Sequence, residues 1–213
     1  MKTRVRLVLP SSILPAFNRR RKGQEPYVTA GQTRISPLAV KCPAPVKHRT
    51  PGLHPEWIST WWGREGEGGV LRLPFGNGRH APVAAADQAH VIAAILQNPE
   101  PHDRQAYPLH GPAEMDHYGI AAAVSRALGI PVSYQPVSID EFAAGLASLG
   151  RSPHMIQHLS NVAIDYQNGI FQGTNNLIEV IGDHTPMTVE EFVTSRKHDF
   201  DQNGPNHVLP KPI

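Results

Sequence analysis

Thirty residues, GVLRLPFGNGRHAPVAAADQAHVIAAILQN from Gly69 to Asn98, set the terms for the rest of the chain. Val70, Leu71, Leu73 and Phe75 make a short apolar run suited to a strand. Gly76-Asn77-Gly78 supplies residues that tolerate positive φ. An Asn-Gly pair in that setting predicts a hairpin, with His80 to Ala85 returning as its second strand. Asp87 then stands where a helix N-cap belongs. Ala89, Ile92, Ala93 and Leu96 follow at helical spacing until Pro99 stops the helix. Strand, turn and capped helix in so short a stretch predict an α/β fold.

The N-terminal quarter is a different kind of sequence. Residues 1–50 hold 11 of the 20 Lys and Arg but only one of the 18 Asp and Glu, so they carry a net charge of +10 against −8 for the remainder. Proline recurs through them and no period of 2 or 3.6 is sustained. Such a segment buries too little apolar surface to offset the entropy of ordering it, so residues 1–50 are expected to be a disordered basic arm. Arg19-Arg20-Arg21-Lys22 fits a nucleic-acid or targeting patch by composition. With no aromatic or helical frame to present it, a solvated charge run is the better expectation, and nucleic acid is not an expected partner. The single cysteine, Cys42, excludes an intrachain disulfide and a cysteine-rich metal site. No apolar run approaches the roughly 18 residues of a membrane span. Arg4, Arg6 and Pro10 interrupt any leader-like apolar region. A soluble, cytoplasmic protein is expected.

Beyond the central stretch, Gln105 to Leu109 and Val132 to Val137 read as strands. Asp116 or Glu114 begins a helix that ends at Gly129. Ser138-Ile139-Asp140-Glu141 and Thr188-Val189-Glu190-Glu191 are capping boxes, and Ser152-Pro153 starts a further helix. Trp57, Trp61 and Trp62 fall at i, i+4 and i+5, where one helical face carries all three. Residues 201–213 are expected to be a frayed tail.

Twelve histidines raise the question of a metal. His154 and His158 share a helical face, but Met155 stands where a zinc hydrolase needs its glutamate and no third ligand is indicated, so no metal site is expected. His110, Asp116 and His117 match an acid–base group in composition only. Asp116 is better explained as a helix start and His117 as an exposed first-turn residue. No catalytic residue is assigned.

LPFGNGRHAPVAAADQAHVIAAIL (73–96), YPLHGPAEMDHYGIAAAV (107–124) and GDHTPMTVEEFV (182–193) resemble NmrA-like proteins, NAD(P)-binding relatives of the short-chain dehydrogenases/reductases. The resemblance covers about residues 51–200 and corresponds to the C-terminal, substrate-side portion of a Rossmann-type protein, with few strands and five or six helices. It implies an NAD(P)-dependent reductase of a small organic compound, or an NAD(P) sensor. It also implies that Pro51, Gly52 and Leu53 are a remnant of the cofactor wall, and that His54, Trp57, Trp61 and His80 belong to the substrate pocket. It gives Asp87 a place beneath the cleft besides its capping role.

The glycine-rich strand–turn–helix that receives a pyrophosphate is missing from residues 1–50. Gly76-Asn77-Gly78 does not replace it, because Pro82 follows within one turn. None of the five tyrosines has lysine four residues on. The expectation is a truncated or frame-altered family member that does not itself bind NAD(P). The alternatives are a non-catalytic regulatory or interaction module and a non-functional product. Faces that relatives bury, Trp57, Trp61, Trp62 and the Val91–Ile95 face among them, are expected to be exposed and to favour self-association.

Overall fold

Val70, Leu71 and Leu73 do form a strand, but its neighbours come from elsewhere in the chain. The computed structural model describes residues 47–49, by backbone, and 54–201. The arm apart from 47–49, the residues Pro51, Gly52 and Leu53, and the tail from 202 lie outside the described residues. Among them stand seven strands and eight α-helices.

Strand β3 (Gly68–Leu73) is central to a three-stranded sheet. On one side β2 (Trp62–Glu65) pairs with it antiparallel, Trp62 opposite Leu71. On the other side β7 (Val132–Pro136) pairs in parallel, Gly69 opposite Val132. The hairpin is therefore β2–β3, turning at Gly66 with φ +57. It is not the one expected across Gly76–Gly78. That segment is a turn, closed by Gly78 N–H on Phe75 C=O, but it leads into β4 (Arg79–His80). Strand β4 pairs with β6 (Met115–Asp116), not with β3. The sequence also predicts turns at Gly63, Gly66, Gly68 and Gly69, but of these only Gly66 turns the chain, while Gly63 lies in β2 and Gly68 and Gly69 in β3.

Side chains on both faces of β3 are buried. Arg72 is among them, its charge held by Glu65 on β2 and by Gln135 on β7. Trp62 is fully buried and lies over Gly69, where a Cβ would stand 1.8 Å from the ring. Only glycine lets the indole settle there.

The described part of the expected arm is not unstructured. Lys47–Arg49 is strand β1, paired in parallel with β5 (Ala106–Pro108).

Helix α1 (Glu56–Thr60) is only five residues long. It carries Trp57, with Trp61 at its C-cap, whereas Trp62 already belongs to β2 and meets Phe200 edge-on at 5.5 Å. The three tryptophans therefore do not share a helical face. Helix α2 (Ala85–Gln97) begins two residues before Asp87, with Ala84 at its N-cap. Its buried positions are Asp87, Val91 and Ile95, while Leu96 is exposed. The expected stripe, Ala89, Ile92, Ala93 and Leu96, is thus not the inward face. Helix α6 (Leu177–Gly182) covers Val91, and a Cβ at Gly182 would stand 3.2 Å from Val91 Cγ2. Burying Val91 and Ile95 contributes about 1.5–3 kcal/mol each.

Helix α3 (His117–Leu128) runs from its Asp116 cap, which accepts Gly119 N–H at 2.8 Å, to Gly129 at φ +73. Both capping boxes are present, at α4 (Ile139–Ser148) and α7 (Val189–Ser195). Ser152 caps α5 (Pro153–Gln167), with Pro153 in the first turn. The short α6 and α8 (His198–Asp201) are additional to the expected helices. The main core joins the β2–β3–β7 sheet to α3, α4, α5 and α7. A second cluster packs Val83, Val91, Ile95, Tyr107, Leu109, Leu177 and Ile178 between α2, α6 and β5. Trp61, Trp62, Val91 and Ile95 are all buried, so the apolar faces expected to be exposed are covered, and of that group only Trp57 is partly open.

Candidate functional site

Segment 54–56 is tied to the start of α2 by two hydrogen bonds. His54 Nδ1–H donates to Val83 C=O at 2.8 Å, and Glu56 Oε1 accepts Ala85 N–H at 3.0 Å. With Nδ1 so engaged, the Nε2 of a neutral His54 is left as an acceptor. The ties hold α1 over β3 and β4 and enclose a cavity. Its wall includes His54, Trp57, Trp61, His80, Pro82 and His117. Trp57 and Trp61 stack at 6.4 Å with 21° between their planes. Trp61 rests in turn on Phe142 at 5.4 Å. All four substrate-side residues named from the sequence line this space. At about 20 Å³ it has room for roughly one water.

His117, which sequence reasoning placed on the surface, forms part of the wall. It is 3% exposed, with its ring 4.8 Å from Phe75, 5.3 Å from Tyr134, 5.5 Å from His80 and 5.6 Å from Tyr166. Burial drives its pKa down to about 4, against the opposing pull of Asp116 and of a hydrogen bond to the Gly78 backbone. It is therefore neutral near pH 7. Sequence reasoning grouped it with His110 and Asp116 by composition but gave no sign of its burial, because a histidine at the first helical position is usually solvated. Tyr134 donates to Leu73 C=O at 3.1 Å, and burial raises its pKa, so it is not an acid near neutrality.

The outer side of β4 is closed by charge. Arg79 Nε donates to Glu114 at 2.9 Å, and Glu114 also accepts Gly173 N–H at 2.6 Å. These bonds, Arg79 first, hold the Glu114 pKa below the usual carboxylate range. His110, beside Gly173, is buried and its pKa is lowered by desolvation. A larger, open depression of about 600 Å³ lies between α3 and α7. Its charged residues are already committed, Glu191 to the Thr188 cap and Glu190 to Arg126 at 2.9 Å.

Asp87 does not cap α2. It is fully buried, accepts Met187 N–H at 3.0 Å and sits 3.1 Å from His184 Nε2. It fastens the segment before α7 to α2, and Glu56 meets the α2 N-terminus in its place. Among the described residues no group of three His, Cys, Asp or Glu is placed to hold a metal. No helix among them is long and apolar enough to cross a membrane.

A pyrophosphate needs free backbone N–H groups at a helix start approached through glycine. Among the described residues, every helix of ten or more residues begins against a side-chain acceptor of its own: Glu56, Asp116, Ser138 or Ser152. The residues described do not fit that part of a dinucleotide.

No protein-family model matches the chain. It is 33% identical over 134 residues to an NAD(P)H azoreductase of Xenophilus azovorans, covering 63% of this chain and 46% of that protein. It is 29% identical over 139 residues to quinone oxidoreductase 2 of Escherichia coli, covering 65% and 47%. The fold matches the crystal structure of the NADPH-dependent quinone oxidoreductase of Escherichia coli with a TM-score of 0.55 at 24% identity, over 60% of this chain and 46% of that one. Over about 60% of its length the chain is similar to these proteins, in keeping with the resemblance read from its sequence. The fold also matches a nucleoside-diphosphate-sugar epimerase of Staphylococcus aureus, with a TM-score of 0.52 at 26% identity over 59% of this chain and 43% of that one. The chain spans about half the length of the curated relatives it matches.

Proposed function

We propose that residues 54–201 are the substrate-side portion of an NAD(P)H-linked reductase, and that the cavity under α1 receives a small planar organic compound of the quinone or azo kind. One observation carries this reading: the stacked Trp57–Trp61 pair and three histidines converge on a single apolar space. Flat π-systems stack on indoles, and the histidines add polar contacts in an otherwise greasy wall. The names of the two curated relatives support the substrate class. The space is too small for a ring as it stands, so admission requires the half-buried Trp57 to swing outward. Pro51, Gly52 and Leu53 adjoin His54 in sequence and are assigned to the cofactor side by resemblance. By this reading the chain alone binds NAD(P) weakly, since the sequence of residues 1–50 holds no glycine-rich nucleotide loop and the described helix starts are met by side-chain acceptors.

The test is a titration of ¹⁵N-labelled protein with duroquinone and with a neutral azo dye, following the three indole N–H signals. Shifts confined to Trp57 and Trp61, with about tenfold weaker binding in Trp57→Ala, are expected. Shifts at Trp62, or none at any indole, would overturn the assignment.

A further inference from the structure

The cavity is covered by a helix too short to hold itself. Helix α1 has five residues, well under the ~12–15 at which an isolated helix becomes even marginally stable. Its place therefore depends on what holds it from outside. Before it, His54 Nδ1–H is bonded to Val83 C=O at 2.8 Å and Pro55 is buried. After it, Trp61 is buried against Phe142. Between these two fixed points lies the first turn, which carries the half-buried Trp57. The bond that ties this turn to α2 runs from Ala85 N–H to Glu56 Oε1, at 3.0 Å. Ala85 is the first residue of α2, so its amide has no partner within the helix, and a carboxylate suits the positive end of the helix dipole. The same carboxylate is only half served. Glu56 Oε2 is buried and has no hydrogen-bond partner among the described residues. Closing α1 thus makes one bond and strips water from an oxygen that gains nothing in return. Lifting the turn breaks that bond and gives Oε2 its water back, so the tie is a weak one.

Building on the cavity as a substrate pocket, we propose that Glu56 is its positioning residue: the Glu56–Ala85 bond latches α1 shut and sets how readily Trp57 uncovers the space. Glu56 acts through Trp57 and does not itself touch the ligand. With Trp57 in place the cavity holds about one water and no ring, so the ligand-bound state keeps the first turn of α1 lifted. The turn tilts between its two anchors, the His54–Val83 bond and the Trp61–Phe142 contact, which stay made. Breaking the latch is then part of every binding event. The observed affinity is the intrinsic one reduced by the fraction of molecules that are open. A chain with the latch already broken should therefore bind a planar ligand more tightly than the parent does.

Two variants of the full chain break the bond from opposite sides. Glu56→Ala removes the acceptor. Ala85→Pro removes the donor at the first helical position, where proline is accepted. Ala85 is exposed, and Ala84 before it is already extended at φ −64 and ψ 144, as a residue preceding proline must be. Without ligand, a soluble nitroxide should broaden the Trp57 indole N–H signal more in both variants than in the parent, and leave that of the buried Trp62 as it was. Duroquinone, followed at the Trp57 and Trp61 signals, should bind about tenfold more tightly to both variants than to the parent. A residue that merely props the wall would act the other way, its loss weakening binding. If a folded variant binds duroquinone no more tightly than the parent, or leaves the Trp57 broadening unchanged, the role of Glu56 is overturned and the pocket reading stands. Trp57 then opens by turning its own side chain. If duroquinone shifts neither Trp57 nor Trp61 in any of the three proteins, the pocket reading falls and this inference with it.

Discussion

Asp87 and Asp116 are both aspartates at or near helix starts, and the structure gives them different work. Asp116 caps α3 through one backbone N–H. Asp116→Ala should cost about 1 kcal/mol in urea unfolding, and Asp116→Asn or Ser much less. Asp87 is buried with both oxygens engaged, one on the Met187 amide and the other on His184. Asp87→Ala should cost about 2–4 kcal/mol, and Asp87→Asn should not restore it, because an amide group cannot reproduce both acceptors. Equal rescue by Asn at the two sites would show that Asp87 is only a cap. His117 gives a pH signature. Above pH 6.5 its ring is neutral whether the chain is folded or not. Between about 6.5 and 4 the unfolded chain takes up a proton that the buried ring refuses, so stability falls as the pH falls, by roughly 3 kcal/mol across the window. Glu114 acts lower: its contribution is present above the ordinary glutamate pKa of 4.5 and is lost as pH drops through its depressed value. Unfolding midpoints measured from pH 8 to 4 should therefore slope less in His117→Phe than in the parent.

Trp62 and Gly69 show how the strands constrain one another. A methyl at position 69 meets the indole, so Gly69→Ala should destabilise by about 1–3 kcal/mol and shift tryptophan emission toward the red. Unchanged emission would mean that the ring has another place to lie. This pair also marks the boundary of what could be read from the chain. The caps at Asp116, Ser138, Ser152 and Thr188 were legible because donor and acceptor lie within a few residues. The partners of β3 were not, because a strand's neighbour is chosen by the whole core, and Asn77-Gly78 promised a local return that β6 supplied instead. The inward face of α2 was misread for the same reason. Its apolar residues run most of the way around, and only the arrival of α6 decides that Val91 and Ile95 face in. His54, Trp57, Trp61 and His80 came from resemblance. His117 was named only by composition and expected to be exposed, since its burial depends on Tyr134 and Tyr166, distant in sequence.

Taken as one body, the described chain joins the cavity proposed to receive substrate to helix starts already met by side chains. Calorimetric titration with NADPH and NADH should accordingly show no dissociation constant in the low micromolar range. A tighter value would locate a nucleotide site in residues outside those described. The parallel pairing of β3 with β7 has a separate consequence, in time. Gly69 must find Val132, and Leu73 must find Pro136, each 63 positions along the chain. Closing loops of that length costs entropy before any contact repays it. The helices, bonded locally, can form in microseconds, but the sheet that buries Trp62 must wait for the ends of a long crossover to meet. Stopped-flow refolding should show helical circular dichroism recovering ahead of the tryptophan signal, which is expected to follow on a scale of about milliseconds to seconds. During that interval β3, apolar on both faces, is the segment through which two unfinished chains would join.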